Sequence, residues 1–175
     1  MKNLLNLLLL SFLFSCSKEI EIEKSLPSTP EDLKEHTAEF TKEVIEVTDG
    51  VHMAIGFALA NAMMVEGEDS NIIIDTTGTV ETAREVKEIF QSINPNPISA
   101  IIYTHNHGDH VYGASVFAEE SDPEIYAHSS TGKYISRVIG ILRPIISSRS
   151  GKMFGNVLPN EHVENNGIGP FLEIG

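Results

Sequence analysis

Thr104-His105-Asn106-His107-Gly108-Asp109-His110 is the stretch of sequence that decides the fold. It places three imidazoles and one carboxylate within six consecutive positions, directly after the apolar run of residues 98–103. Imidazole nitrogen and carboxylate oxygen are the usual protein ligands of zinc and related divalent metals. The run therefore predicts a metal site in a loop that follows a strand. The alternative is a histidine-rich surface loop whose rings are satisfied by ordinary hydrogen bonds.

The spacing within the run allows two ions rather than one. Residues i and i+2 of a chain that leaves a strand point the same way, so His105 and His107 can converge on one ion. Gly108 lets the backbone bend sharply. Asp109 and His110 can then face a second ion a few ångströms away. His105, His107, Asp109 and His110 are therefore the candidate metal ligands.

The first 30 residues are interpreted as export and tether segments that precede the fold. Residues 1–15 join a short basic start to an apolar stretch that is too short for a membrane span, which predicts a lipoprotein signal peptide. Cys16 is the only cysteine and follows this stretch directly, so we expect it to carry a lipid. A buried or incidental cysteine is the alternative. Residues 16–30 are polar and read as a tether, which predicts an exported lipoprotein anchored to the bacterial cell envelope.

The charge balance narrows the range of partners. The chain carries 25 acidic and 12 basic residues, for a net charge of −13 at neutral pH. We find no basic stripe in the sequence, so nucleic acid is not an expected partner. An acidic surface is not attracted to anionic membranes either. Contact with a bilayer is therefore expected through the lipid anchor alone.

The rest of the chain predicts an α/β domain from residue 31 onward. A helix is expected from residue 31 to about Phe40, followed by serial antiparallel strands within residues 43–47, 51–57, 61–66 and 71–75. Thr79 can cap the next helix, whose apolar residues recur at helical spacing. The strand at residues 98–102 then makes a β-α-β unit, with the histidines at the strand's carboxyl end. Residues 114–119 and 129–142 are expected to be helical, residues 124–127 extended, and the tail from Ser147 a loop.

The H-x-H-x-D-H spacing of residues 105–110 resembles the ligand motif of the metallo-β-lactamase superfamily. Residues 56–61, 64–67 and 73–76 are similar to segments of its alkylsulfatase branch. The tail at residues 149–159, which carries Met and Gly and ends in Leu-Pro, is similar to that branch as well. The resemblance implies the metallo-β-lactamase αββα sandwich, with residues 31–175 as the N-terminal part of the domain and only that half present.

The resemblance also implies an activity. It is that of a zinc-dependent hydrolase that cleaves alkyl sulfate esters with a metal-bound hydroxide as nucleophile. His105 and His107 would hold one zinc ion, and Asp109 and His110 the other. Asp109 thus receives its catalytic role as a ligand, with a non-ligand role such as general base as the alternative. The whole enzyme is expected to be a homodimer that acts on a small-molecule ester.

Several other residues have alternative interpretations. The resemblance makes Asp75 a brace for the metal-ligand loop, while a turn or a helix cap is the equal alternative. Four basic residues could contact the substrate anion, but exposure to solvent is the favoured interpretation for each of them: Arg137, Arg143, Arg149 and Lys152. Four further histidines are expected to be structural or solvated: His36, His52, His128 and His162. Of these, His128 is the best candidate for an additional metal ligand, because it follows a strand.

The chain is shorter than the family that it resembles. A second sheet with further ligands would follow Gly175, so we interpret the chain as an N-terminal fragment that is inactive by itself. A genuine truncated product is the alternative. Two other functions stay open at this point: a thioester or lactone hydrolase on the same fold, and a lipoprotein that binds metal without turnover.

Overall fold

The computed structural model describes residues 30–170, so the predicted signal peptide, Cys16 and most of the tether lie outside the described part. The elements, in chain order, are α1 (Glu31–Ala38), β1 (Glu43–Thr48), β2 (Val51–Ile55), β3 (Ala62–Val65), β4 (Asn71–Ile74), α2 (Val80–Ile93), β5 (Ile98–Ile102), α3 (Gly108–Val111), α4 (Ala114–Ala118), β6 (Glu124–Tyr126), α5 (Thr131–Arg137), a π-helix (Val138–Leu142), α6 (Arg143–Met153) and a 3₁₀ turn (Asn160–His162). None of the helices in this part of the chain is long and apolar enough to cross a membrane.

The six strands form one sheet in the order β1-β2-β3-β4-β5-β6. The first four strands are antiparallel, as predicted, whereas β4, β5 and β6 run parallel to one another. Parallel neighbours require a crossover connection, and α2 supplies it between β4 and β5. The carboxyl ends of the three parallel strands therefore meet at one edge of the sheet.

The core lies on one face of this sheet. Alternate strand residues such as Met64, Ile73 and Ile101 point into it and are almost fully buried. They pack against Val86 and Phe90 of α2, in a cluster that also includes residues of α4. The period of two in the strands and of about 3.6 in α2 explains why these residues share an interior. Of the predicted apolar face of α2, Val86 and Phe90 are buried and Ile89 packs against them, whereas Ile93 is 39% exposed.

The other face of the sheet is only partly covered. Ile72, Ile102 and the exposed Tyr126 line a groove there, with a volume of about 570 Å³. An apolar sheet face normally packs against a second layer. The described residues thus form one sheet with α2 and α4 packed on one side, which matches the predicted half of a two-sheet sandwich.

A row of polar contacts fixes α4 to α2. Arg84 Nη2 lies 2.9 Å from Glu119 Oε1, and Gln91 Nε2 lies 3.0 Å from Glu120 Oε2. Between them, the buried Lys87 donates from Nζ to the carbonyl of Val116 at 3.0 Å. Because α4 begins at Ala114, only four positions after His110, these contacts also limit how far the loop of the motif can move.

The prediction of a loop from Ser147 onward is wrong. Residues 143–153 form α6, which begins with Pro144 in its first turn and ends just before Gly155, a residue with φ of 74°. Proline near the first helical position and glycine in the left-handed region after the end are ordinary helix boundaries. Apart from Gly151, which lies inside α6, the Gly, Asn and Pro residues from Ser147 onward follow the end of this helix.

Two further elements end earlier than expected. The first helix stops at Ala38 rather than near Phe40. Strand β2 stops at Ile55 because Gly56 has φ of 74°, and a Cβ there would lie 2.1 Å from the carbonyl oxygen of Thr41. Only glycine fits such a conformation and approach without displacement of the backbone.

Candidate metal centre

The candidate ligands lie at the edge where the parallel strands end. Strand β5 leads into Tyr103 and the loop of residues 104–107, and α3 begins at Gly108. Strand β4 ends one residue before Asp75, whose N–H donates to the carbonyl of Ile102 at 2.9 Å. The end of β4 is thus held against the start of the loop, as expected for a site at the carboxyl ends of parallel strands.

Asp75 is the residue that organises this loop. Its side chain is buried, and its Oδ1 accepts the Thr104 N–H at 2.9 Å. Its Oδ2 accepts the Thr104 hydroxyl at 2.7 Å and lies 2.7 Å from His110 Nδ1. The cap of α2 is Thr79, which accepts the Thr82 N–H. These contacts support the brace over the turn or helix cap.

The electrostatics of Asp75 agree with an ionised brace. Burial by itself raises the pKa of this carboxyl, but the hydrogen bonds from His110 and Thr104 outweigh burial and hold the pKa below its ordinary value. The same hydrogen bond, which His110 Nδ1 donates to Asp75, raises the pKa of His110. Burial, followed by the nearby His110 and His107, lowers the pKa of His105.

The hydrogen bonds also select which ring nitrogens face outward. An ionised carboxylate can only accept, so we assign the proton of His110 to Nδ1, which leaves Nε2 with a lone pair. The Thr104 hydroxyl donates to Asp75, so its oxygen can accept from His105 Nδ1 at 3.1 Å. Both His105 and His110 then present Nε2 as a ligand nitrogen. A carboxylate that orients ligand histidines in this way raises their basicity.

Backbone contacts join the loop after β4 to the helix of the motif. Thr76 N–H and the Thr76 hydroxyl both donate to the carbonyl of His110, at 2.8 and 3.1 Å. Gly113 N–H donates to the carbonyl of Thr77 at 3.2 Å. A Cβ on Gly113 would lie 2.0 Å from the Thr76 oxygen, so this approach requires glycine. The position of His110 is therefore fixed from the backbone as well as from Asp75.

The four predicted ligands are brought together. The ring centroid of His105 lies 4.5 Å from that of His107 and 4.0 Å from that of His110. Asp109 Oδ2 lies 3.5 Å from His110 Nε2. Even so, no group of three or more His, Cys, Asp or Glu side chains within residues 30–170 is arranged to hold a metal ion. The donor types fit zinc, but their atoms do not converge on one point.

The remaining histidines lie apart from this cluster. His36 packs edge-on against Phe40 beside α1, and the exposed His128 has its Nδ1 2.8 Å from the Ser130 hydroxyl. His52 Nε2 lies 2.5 Å from Glu66 Oε1, beside the amino ends of β4 and β5 and thus at the opposite edge of the sheet. His162 is part of the 3₁₀ turn. None of these four histidines contacts His105, His107, Asp109 or His110 within the described residues.

Two residues of the site carried no sequence signal for their contacts. Thr104 joins Asp75 to His105, and the Tyr112 ring covers Gly108, where a Cβ would lie 2.2 Å from Tyr112 Cε2. The four basic residues that were expected to be solvated cations, Arg137, Arg143, Arg149 and Lys152, are all exposed. Arg143 also lines a groove with Tyr112.

Comparison with known proteins identifies the family. The sequence model of the metallo-beta-lactamase superfamily matches residues 55–169, which include every residue of the site. The chain belongs to the metallo-β-lactamase superfamily. The motif, the strand edge and Asp75 are thus features of one metallo-β-lactamase domain, and the predicted fold class is confirmed for the part that is present.

The relatives place the chain in the alkylsulfatase-like branch of the superfamily. A linear primary-alkylsulfatase of Pseudomonas is 34% identical over 119 residues, which are 64% of this chain and 22% of that protein. An alkyl/aryl-sulfatase of Saccharomyces cerevisiae is 38% identical over 80 residues, or 45% of this chain and 12% of that protein. The chain therefore spans about a fifth or less of the length of these relatives.

A solved structure supports the fold. A stereoselective inverting sec-alkylsulfatase from Pseudomonas superimposes with a TM-score of 0.63 at 24% identity. The match covers 70% of this chain and 21% of that protein. At this identity the likeness shows the fold alone, and it agrees with the single sheet and its helices described above.

Proposed function

We propose that the protein is a zinc-dependent hydrolase of alkyl sulfate esters. The observation that carries the proposal is the network in which Asp75, directly and through Thr104, turns Nε2 of His110 and His105 outward. At a metal centre such a network fixes the tautomer and orientation of the ligand histidines, whereas the histidines of a solvated loop do not require it. The similarity to alkylsulfatases favours a sulfate ester over a thioester or a lactone.

The charge of the site supports a role for bound cations. Asp75 and Asp109 bring two carboxylates to the edge of the sheet, and these repel an anionic ester. Cations held by His105, His107, Asp109 and His110 would reverse the sign of the local field. When bound, zinc lowers the pKa of a water molecule and neutralises charge on the sulfate.

The chain's own residues have separate tasks in this proposal. The imidazoles and Asp109 hold the ions, with Asp109 and His110 assigned to the second one. Asp75 does not touch the ester but fixes the tautomer and direction of His110. Hydrolysis adds one water to the alkyl sulfate anion and yields an alcohol, the sulfate dianion and one proton, so a proton must leave the site with each turnover. Asp109, beside His110 Nε2, is placed to hold that proton if it is not a ligand.

The activity is tested by sulfate release. Zinc-loaded protein, expressed from its natural reading frame, should release sulfate from octyl sulfate, lose this activity with a chelator and regain it with zinc. The same preparation should turn over a medium-chain thioester and a lactone at least tenfold more slowly. Hydrolysis of the thioester or the lactone without sulfate release would reject the sulfatase in favour of the other hydrolase. Bound zinc with no turnover of any of these esters would indicate a binding protein.

We also propose that the protein is exported and anchored through Cys16, which lies outside the described residues. The basis is the short apolar segment that ends at the only cysteine of the chain. Replacement of Cys16 by serine should move the protein from the detergent phase to the aqueous phase in a partition experiment. A Cys16→Ser variant that still enters the detergent phase would exclude the lipid anchor.

A further inference from the structure

A groove lies beside the candidate metal centre and plays no part in the ligand network. It runs between the start of α2 and the π-helix, and its volume is about 530 Å³. Val80, Tyr112 and Ile139 give it an apolar surface, while Glu81 and Arg143 each contribute one charge. Sites for small molecules in proteins occupy roughly 300–1,000 Å³ and are mostly apolar, so the groove has the size and lining of such a site.

The groove is continuous with the ligand loop. Tyr112 lines the groove, and its ring lies against Gly108, between the predicted ligands His107 and Asp109. The groove also includes Gly78 and Thr79, the two residues just before α2, and only Thr77 separates them from Thr76. Thr76 is held in place relative to His110, because its N–H and its hydroxyl both donate to the His110 carbonyl. One wall of the groove is therefore built on the same backbone that positions the metal ligands.

The lining favours the apolar part of a ligand over its anionic part. One arginine and one glutamate leave the groove without net charge, so it does not attract an anion more than it repels one. Val80 and Ile139 are 43% and 44% exposed, although both are large apolar side chains. Burial of such surface by an alkyl chain is favourable in proportion to the area covered.

The helix that closes the groove is irregular at this point. Ile139 belongs to the π-helix that separates α5 from α6, and Arg143 follows it at the start of α6. Short π-helical turns are rare and occur frequently at functional sites. The irregular turn contains Ile139, which lines the groove together with Val80 and Tyr112.

We infer that this groove binds the alkyl chain of the substrate and sets the preferred chain length. The inference rests on the proposed function for the identity of the head group, which would lie at the metal centre. Val80, Tyr112 and Ile139 contact the chain, with Tyr112 closest to the head group because it also contacts the ligand loop. These three are specificity residues; they hold the chain and take no part in the chemical step.

The test is the affinity for linear alkyl sulfonates of six to ten carbons, which are not sulfate esters and cannot be hydrolysed. Titration calorimetry on the zinc-loaded full protein, below the critical micelle concentration, should show about a threefold to fourfold gain in affinity per added methylene. In Val80→Ser and Ile139→Ser this gain should fall to less than twofold. Val47→Ser and Ile141→Ser are the matched controls, because these side chains are 55% and 70% exposed outside the groove. The controls should keep the full gain per methylene.

Each outcome decides the inference. An equal gain per methylene in the groove variants and in the controls would overturn it, as would the absence of any gain in the unaltered protein. Loss of the gain in the groove variants alone would support it even if no sulfate is released from octyl sulfate. In that case the groove binds an alkyl chain, but the assignment of sulfatase activity is wrong. If sulfate is released but the groove variants behave as the controls do, the sulfatase activity is supported and the binding of the alkyl chain in the groove is rejected.

Discussion

Replacement of both His105 and His107 by alanine should abolish zinc binding and hydrolysis while the domain stays folded. The two rings belong to the loop at the strand edge and are absent from the core cluster. Their loss removes two of the few ligands of one ion, and the remaining donors cannot close its coordination shell. We expect the zinc affinity of that site to fall by about 100-fold or more. Elemental analysis after dialysis against a fixed free zinc concentration gives the stoichiometry.

His36→Ala is the matched control, because His36 packs against Phe40 beside α1 and lies outside the cluster. It should retain the full zinc content and the full rate of sulfate release. Urea unfolding of both variants checks the fold, and their midpoints should differ little from that of the unaltered protein. An unchanged zinc content in the double variant would end the assignment of these two ligands. Loss of zinc that accompanies global unfolding would likewise count against a role confined to the metal.

Replacement of Asp75 by asparagine should weaken zinc binding by about 10-fold to 100-fold, although Asp75 is not itself a predicted ligand. Asparagine keeps the shape of the side chain and tolerates the φ of 57° at this position, so the backbone is not strained further. It has one acceptor oxygen instead of two, and its amide group can only donate. At least one donor of Thr104 or His110 is therefore left unpaired, which costs about 1–3 kcal/mol of folding stability.

The readout that separates positioning from simple destabilisation is the tautomer of His110. Nitrogen chemical shifts of the unaltered protein should show the proton on Nδ1, and Asp75→Asn should shift the population toward the Nε2 form. Asp49→Asn serves as the control, because Asp49 is exposed in the β1–β2 turn. A variant at Asp75 with the same tautomer and the same zinc affinity as the Asp49 variant would show that the brace has no part in the metal site.

The fold was predictable wherever the pattern of apolar residues is strong. The apolar run at residues 71–75 predicts a buried strand and the helical spacing in α2 predicts an apolar face, and Ile73, Val86 and Phe90 do lie in one core cluster. Helix α6 was missed because its composition is mixed and Gly151 lies inside it. Its boundaries did carry signals, since Pro144 lies in the first turn and Gly155 lies just past the end.

The site was predictable to the extent that it lies in one short run. The residue types and spacing at positions 105–110 indicate metal ligands, and the motif follows the carboxyl end of β5. The contact of Asp75 with Thr104 and His110 joins residues about 30 positions apart, which no local pattern can report. The sequence therefore left two alternatives for Asp75. The contact of Tyr112 with Gly108 depends in the same way on side-chain packing that only the structure reveals.

The most direct measurement of the central claim is the position of bound metal. Crystals of the zinc-loaded protein, measured above and below the zinc absorption edge, should give an anomalous peak at the carboxyl ends of β4 and β5. The account predicts this peak at about 2.0–2.1 Å from a ring nitrogen of His105 and of His107, with a second peak beside Asp109 and Nε2 of His110. Peaks confined to other groups, such as His52 with Glu66 or His128, would contradict it, as would well-ordered rings of His105, His107 and His110 with no metal between them.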